Sequence, residues 1–370
     1  MRLLPSLLTA ALALGLAACT AGGDDDASAN TDRGTEADAE SAAAAEQPRS
    51  ASFEAVGKLT SYDAAFADVI DPGARIEKLT GDEFTWSEGP TWVRDGGGYL
   101  LFNDPPENRM FRWSQADGLS LFLEPSGYAG PPLDTLREGG ANGLFTEADG
   151  SVLLADSGNR LVARFKPADK SRVALAETFQ DKRFTSPNDV VARGDGTVFF
   201  TDPPYGLKDG DESPAKEQPV NGIYRIDADG SVHLVDDSLN RPNGIAFSPD
   251  GNTLYVANSD EQRPIWMAYT LDAAGNVVDK RQFADASDLL RDGGQGLPDG
   301  LAVSTGGLVF ATGPGGVLVF DAQGKRLGRI ETGSAIANCA FGDGGRTLYM
   351  TSHKFLARVP LKVTGLGFQD

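Results

Sequence analysis

The sequence predicts an all-β domain folded as a six-bladed β-propeller, and three observations predict it. A short polar signature recurs six times, as Ser87-Glu88-Gly89-Pro90, Ala141-Asn142-Gly143-Leu144, Pro187-Asn188-Asp189-Val190, Pro242-Asn243-Gly244-Ile245, Pro298-Asp299-Gly300-Leu301 and Ala337-Asn338-Cys339-Ala340. Its spacing of roughly 40 to 55 residues lies in or near the range of propeller blades. A second register keeps step with the first, because the β-rich run after each signature ends in Asp104, Asp156, Asp202, Asn258, Thr312 or Ser352. Composition is the third observation: 370 residues, 40% apolar, with 45 Gly, can bury one large β core.

Taken in order, the chain opens with Arg2, an apolar stretch from Leu3 to Leu16 and the ending Leu16-Ala17-Ala18-Cys19. That pattern is a secretory signal over residues 1–18, too short for a spanning helix. Its ending resembles a bacterial lipobox, which makes Cys19 the expected lipidation site. The protein is then exported and anchored by lipid, facing the periplasm or cell surface. Residues 19–52 are mostly Ala, Asp, Glu, Ser, Thr and Gly and read as an acidic solvated tether, since they hold too little apolar surface to fold. The propeller domain is assigned to residues 53–370, with a short helix expected somewhere from Phe53 to Asp71.

Arg75 to Leu79 precedes the first signature and has no blade of its own. The C-terminal stretch supplies three strands for the last blade, so the N-terminal run is expected to close the ring as that blade's outermost strand, which removes sheet edges. Each blade's first two strands are joined by tight turns such as Asp149-Gly150, Asp195-Gly196 and Asp250-Gly251, residues suited to hairpins. In an up-and-down meander those turns mark one end of the molecule. The signatures, the ends of the second strands and four longer insertions, over residues 125–140, 203–220, 259–264 and 285–297, mark the other, where loops shape a site over a rigid scaffold.

One signature alone is ordinary turn chemistry. Six in register differ, because the innermost strands surround the axis and their first side chains converge there. Glu88, Asn188, Asn243 and Asp299 offer hard oxygen ligands, and the chain has only 2 His, so a His-built site is not expected. Two carboxylates and two amide oxygens suit Ca2+, which accepts irregular oxygen shells; Mg2+, Mn2+ or Zn2+ remain open as alternatives. The formal net charge of −20 without basic runs excludes a nucleic-acid partner. A monomer, touching membrane only through Cys19, is expected.

The phrases Ser87-Glu88-Gly89-Pro90, Ser186-Pro187-Asn188-Asp189, Thr201-Asp202-Pro203-Pro204-Tyr205-Gly206, Arg241-Pro242-Asn243-Gly244-Ile245-Ala246-Phe247-Ser248 and Leu297-Pro298-Asp299-Gly300-Leu301 resemble the senescence marker protein, gluconolactonase and luciferin-regenerating enzyme family. The likeness covers nearly all of the chain after Arg75. It implies a six-bladed propeller that hydrolyses a lactone, often a sugar lactone such as gluconolactone, at a divalent metal in the central tunnel. By motif, Glu88, Asn243 and Asp299 match metal-binding positions, Asn188 matches an asparagine contacting metal and substrate, and Asp299 also matches the general base.

Physically, the ion would polarise the lactone carbonyl while a carboxylate accepts the proton of the attacking water. Asp299 is the expected base, with Asp202 its alternative. Asn142, Asp202, Tyr205 and His353 are the expected substrate-binding residues, each with a bland counterpart as a turn cap or loop brace. Two other readings stand beside this one: the same fold acting on another ester or an organophosphate, and a non-catalytic periplasmic propeller that binds a sugar or a protein.

Overall fold

The computed structural model describes residues 53–368, so the expected signal, tether and Cys19 lie outside the described residues. Six antiparallel sheets form the blades; five contain a meander of four consecutive strands, and the last contains three, completed from the N-terminal run. Their innermost strands are Glu88–Val93, Leu144–Thr146, Val190–Ala192, Pro242–Phe247, Leu301–Val303 and Asn338–Gly342.

The second strand of each blade is nearly continuous in apolar residues because it is covered on both faces. Every residue of Tyr99–Asp104, Val198–Asp202 and Val309–Gly313 is buried. Outer strands such as Ser171–Ala176 and Val232–Asp236 are instead mostly half-buried or exposed. Between blades the core is aromatic: Phe184, Phe200 and Tyr224 share one cluster, Trp266, Phe283 and Phe320 another, and Trp92, Trp113 and Tyr349 a third. Each buried ring contributes on the order of 2 kcal/mol of apolar transfer, so packing, not hydrogen bonding alone, fixes the blade angles.

The N-terminal run closes the ring. Ile76–Lys78 pairs with Phe355–Pro360, through Ala357 opposite Lys78 and Arg358 opposite Glu77, and supplies the last blade's fourth strand. It is not outermost, however, because Glu54–Val56 pairs with it as a fifth strand. Lys58–Ser61 then crosses to the fifth blade and pairs with Arg326–Glu331. The helix expected between Phe53 and Asp71 is thus one turn, Phe66–Val69, after two strands. Two open sheet edges compete for this backbone, and Gly57, at φ 66°, lets it turn from one to the other.

The expected tight turns are present. Asp149 accepts from the Ser151 N–H at 2.9 Å, Asp195 from Thr197 at 3.0 Å and Asp250 from Asn252 at 3.1 Å. The Asp holds its own backbone while Gly150, Gly196 and Gly251 take positive φ.

Candidate active site at the propeller axis

Five signature residues reach one cavity. Glu88, Asn142, Asn188, Asn243 and Asp299 line it with Trp86, Tyr205 and Ser259, and its volume is about 350 Å3. All four long insertions contribute: Arg137 and Glu138 from the first, Tyr205 from the second, Ser259 from the third, Gly296 and Leu297 from the fourth.

The glycine after the signature acid or amide has a steric reason. A Cβ on Gly89 would lie 2.1 Å from the Asn142 carbonyl oxygen, and one on Gly244 would lie 2.2 Å from that of Asp299. Neighbouring inner strands approach so closely at the axis that only hydrogen fits. The same closeness lets blades grip one another: the Gly143 N–H donates to the Asn188 carbonyl at 2.7 Å, Asn103 Nδ2 to the Asn142 carbonyl at 2.6 Å and Thr201 Oγ1 to the Asn243 carbonyl at 2.7 Å.

The side chains are held as firmly. Glu88 is buried; Trp86 Nε1 donates to its Oε1 at 3.1 Å and the Gly89 N–H to its Oε2 at 3.0 Å. Asn243 donates through Nδ2 to Ser259 Oγ at 2.9 Å, and Ser259 Oγ donates to the Pro298 carbonyl. Asp299 Oδ1 is buried with no hydrogen-bond partner. Burial raises the Glu88 carboxyl to about 8, assisted by the nearby charges of Asp189 and Glu138. Burial likewise lifts Asp299 well above the carboxylate range, and Glu88 adds repulsion. Left to themselves these acids favour the neutral form, and a cation between them would reverse that preference.

Three sequence expectations do not meet in this cavity. Asp202 is fully buried and outside the lining, where Oδ2 accepts from the Thr185 N–H at 2.8 Å and Oδ1 from the Ser186 N–H at 2.7 Å. Asp104 does the same for Thr85 and Trp86, and Asn258 for Arg241. In these three blades the second register clamps the backbone just before the signature, and both Asp202 oxygens are taken up in that clamp; Asp156 instead accepts from Asn159 and Arg172. His353 is likewise outside the lining. Its carbonyl accepts from Ser87 N and Oγ, and its ring backs the Trp86 ring at 5.1 Å.

The sixth signature residue, Asn338, faces a different cavity of about 210 Å3 at the opposite end of the axis, with Asp189. In the first and fourth blades a register shift follows Glu88 and Pro242, and in the second, third and fifth the signature residue precedes the paired strand. Asn338 pairs regularly from its first residue, so its side chain takes the other face.

Sequence reasoning missed Trp86, Arg137, Glu138 and Ser259. Trp86 had a signal, since it lies two residues before Glu88 and so on the same face of an extended chain. Arg137 and Glu138 come from a loop with no repeat to expose them, and Ser259, at a strand end, has a single counterpart in Ser157.

Residues 86–354 match the family described as the SMP-30/Gluconolactonase/LRE-like region. The chain belongs to this family. A gluconolactonase of Zymomonas mobilis is 40% identical over 314 residues, covering 84% of this chain and 88% of that protein. An L-arabinolactonase of Azospirillum brasilense is 31% identical over 301 residues, covering 80% and 89%. Among solved structures, a gluconolactonase of Xanthomonas campestris superposes with a TM-score of 0.70 at 30% identity, covering 83% of this chain and 97% of that one. The family region contains all five signature residues of the mouth cavity and its Trp86.

Proposed function

We propose that this protein hydrolyses a sugar lactone of the gluconolactone kind, with a divalent cation, Ca2+ by preference, held by Glu88, Asn188, Asn243 and Asp299. That it is an enzyme, a hydrolase of lactone esters, follows from its family and from full-length relatives named for that activity. The substrate and the cation rest on the site.

The single observation that carries the cation is Asp299 Oδ1, a carboxylate oxygen buried without a partner beside a second buried carboxylate. Such a pair calls for a positive charge. The donors are all oxygens, two carboxylates and two carboxamides, which suits a hard cation. When bound, the cation would act as a Lewis acid on the lactone carbonyl and offset the charge that develops on its oxygen.

The chain's own groups supply the rest. Asp299 accepts the proton of the attacking water, since burial makes its carboxylate more basic than a solvated one. Asn142 and Tyr205 line the wall where they can bond ring hydroxyls, and the Tyr205 hydroxyl is steadied on the Ser259 carbonyl at 3.4 Å. Trp86, Leu297 and Ile336 supply the apolar lining that limits bulk water. The cavity, about 350 Å3, has room for one monosaccharide-sized lactone. Export through the N-terminal signal, lipid attachment at Cys19, a monomeric state and no nucleic-acid partner complete the proposal, supported by the sequence pattern and the net charge of −20.

The test is proton release from glucono-1,5-lactone and L-arabinono-1,4-lactone by purified protein, with and without chelator. Turnover that chelator abolishes and Ca2+ restores supports the reading. A folded protein with no metal-dependent turnover on any sugar lactone overturns it.

A further inference from the structure

The Asn243 carboxamide has two ends, and only its oxygen can hold a cation. Which end faces the cavity is decided by Ser259. A hydroxyl has one proton, and Ser259 Oγ spends it on the Pro298 carbonyl, which can only accept. Only lone pairs remain for Asn243, so the amide must present its N–H, as it does from Nδ2 at 2.9 Å. Its oxygen is left for the cavity that Asn243 lines. The Pro298 bond is not accidental: Ser157, which follows Asp156 as Ser259 follows Asn258, donates through Oγ to the Pro187 carbonyl at 2.5 Å. In both blades a serine after the second strand fastens the proline before the next signature residue. Only at Ser259 does a signature amide also bond to that serine.

We propose that Ser259 is a positioning residue that sets the orientation of the Asn243 carboxamide so that its oxygen is offered to the central cation. A flipped amide would oppose its oxygen to the Ser259 oxygen with no hydrogen between them, leaving both buried acceptors unsatisfied. Ser259 touches neither the carbonyl nor the water of the reaction; it acts through Asn243. This inference rests on the cation reading given under Proposed function.

The test is a double-mutant cycle on Ca2+ affinity, measured by calorimetry or chelator competition with folding checked by circular dichroism. An aspartate has no wrong end, so Asn243→Asp makes amide orientation irrelevant, whether the single Ser259 proton stays on the Pro298 carbonyl or turns to the new carboxylate. Ser259→Ala is expected to weaken Ca2+ binding about tenfold in the wild-type background, as the loss of a group that orients a ligand does, and by at most about twofold in the N243D background. Ser259→Cys keeps the volume but accepts poorly; it is expected to give the same split and is read if the alanine variant does not fold. Equal losses in both backgrounds would mean that Ser259 acts only through Pro298, and no loss in the wild-type background would mean that it acts on neither; each overturns the inference with the cation site intact. Wild-type protein that is folded but takes up no Ca2+ overturns the cation reading and this inference with it.

Discussion

Removing the charge of Glu88 should stabilise the cation-free protein while removing its ability to be stabilised by a cation. Burial raises this carboxyl from 4.5 to about 8. The unfolded chain thus loses its proton near 4.5, and the folded one holds it until about 8. The stability linked to the neutral form is fully present below 4.5 and drains away as pH rises toward 8. At about 1.4 kcal/mol per unit, tempered because pH 8 coincides with the folded value, the loss is about 4 kcal/mol. Glu88→Gln mimics the neutral acid. Like that acid it offers one acceptor where the carboxylate offered two to Trp86 and Gly89, so the two should be matched at low pH. Asp202, whose carboxyl burial raises to about 7, is common to both proteins and cancels; Asp299 and Asp189, which sit in the field of Glu88, ionise more easily in the variant, and that adds to the excess loss of the wild type. The assay is urea denaturation in chelator at pH 4.5 and pH 8. Wild type is expected to lose about 4 kcal/mol more than the variant across that interval, and excess Ca2+ to recover stability at pH 8 in wild type only. Parallel losses in the two proteins would refute the argument that burial of a bare Glu88 opposes its ionisation.

Three further outcomes are expected. Asp202→Ala leaves the buried Thr185 and Ser186 amides without their acceptor and should cost about 3 kcal/mol in urea denaturation, with kcat of the remaining folded protein little changed; unchanged stability with lost turnover would return Asp202 to the chemistry. Asp299→Asn should lower kcat at least about 100-fold in the lactone assay, and wild-type turnover would remove Asp299 from the role of base. Gly244→Ala places a Cβ 2.2 Å from the Asp299 carbonyl, so it should cost about 3 kcal/mol by the same denaturation measurement and weaken Ca2+ uptake in calorimetry; a variant neutral on both would show that the inner strands can move apart.

The fold was legible because a propeller repeats its constraints. Each inner strand has a polar start, and in four of the six a glycine follows it where neighbours converge: Glu88-Gly89, Asn142-Gly143, Asn243-Gly244 and Asp299-Gly300. What occurs once left no such trace. Glu138 and Arg137 come from an irregular loop whose backbone is tied to the Gly206 carbonyl, a contact between distant segments that no local pattern announces. Lys58–Ser61 pairs with a strand hundreds of residues away, and its own residues do not say which blade has an open edge.

The two places where a regular reading misplaced a side chain share one cause. Repetition in sequence reports backbone position, whereas function depends on where the side chain points, and that is set by pairing. Asp202 keeps register with the signature, yet the strand end turns it onto the Thr185 and Ser186 amides, so a conspicuous carboxylate becomes a backbone clamp. Asn338 also keeps register, but its strand pairs without the irregularity that follows Glu88 and Pro242, and its oxygen accepts from the Cys339 N–H at 2.8 Å on the far side of the axis. Regular pairing from the signature residue itself is therefore what sets Asn338 apart from the five that reach the mouth, which precede their paired strand or a break in its ladder. The mouth cavity receives five signature residues, not six, and its sixth side is closed by Ala335 and Ile336. On the reading proposed above, that apolar side would leave room for a substrate beside the cation instead of completing an oxygen cage around it.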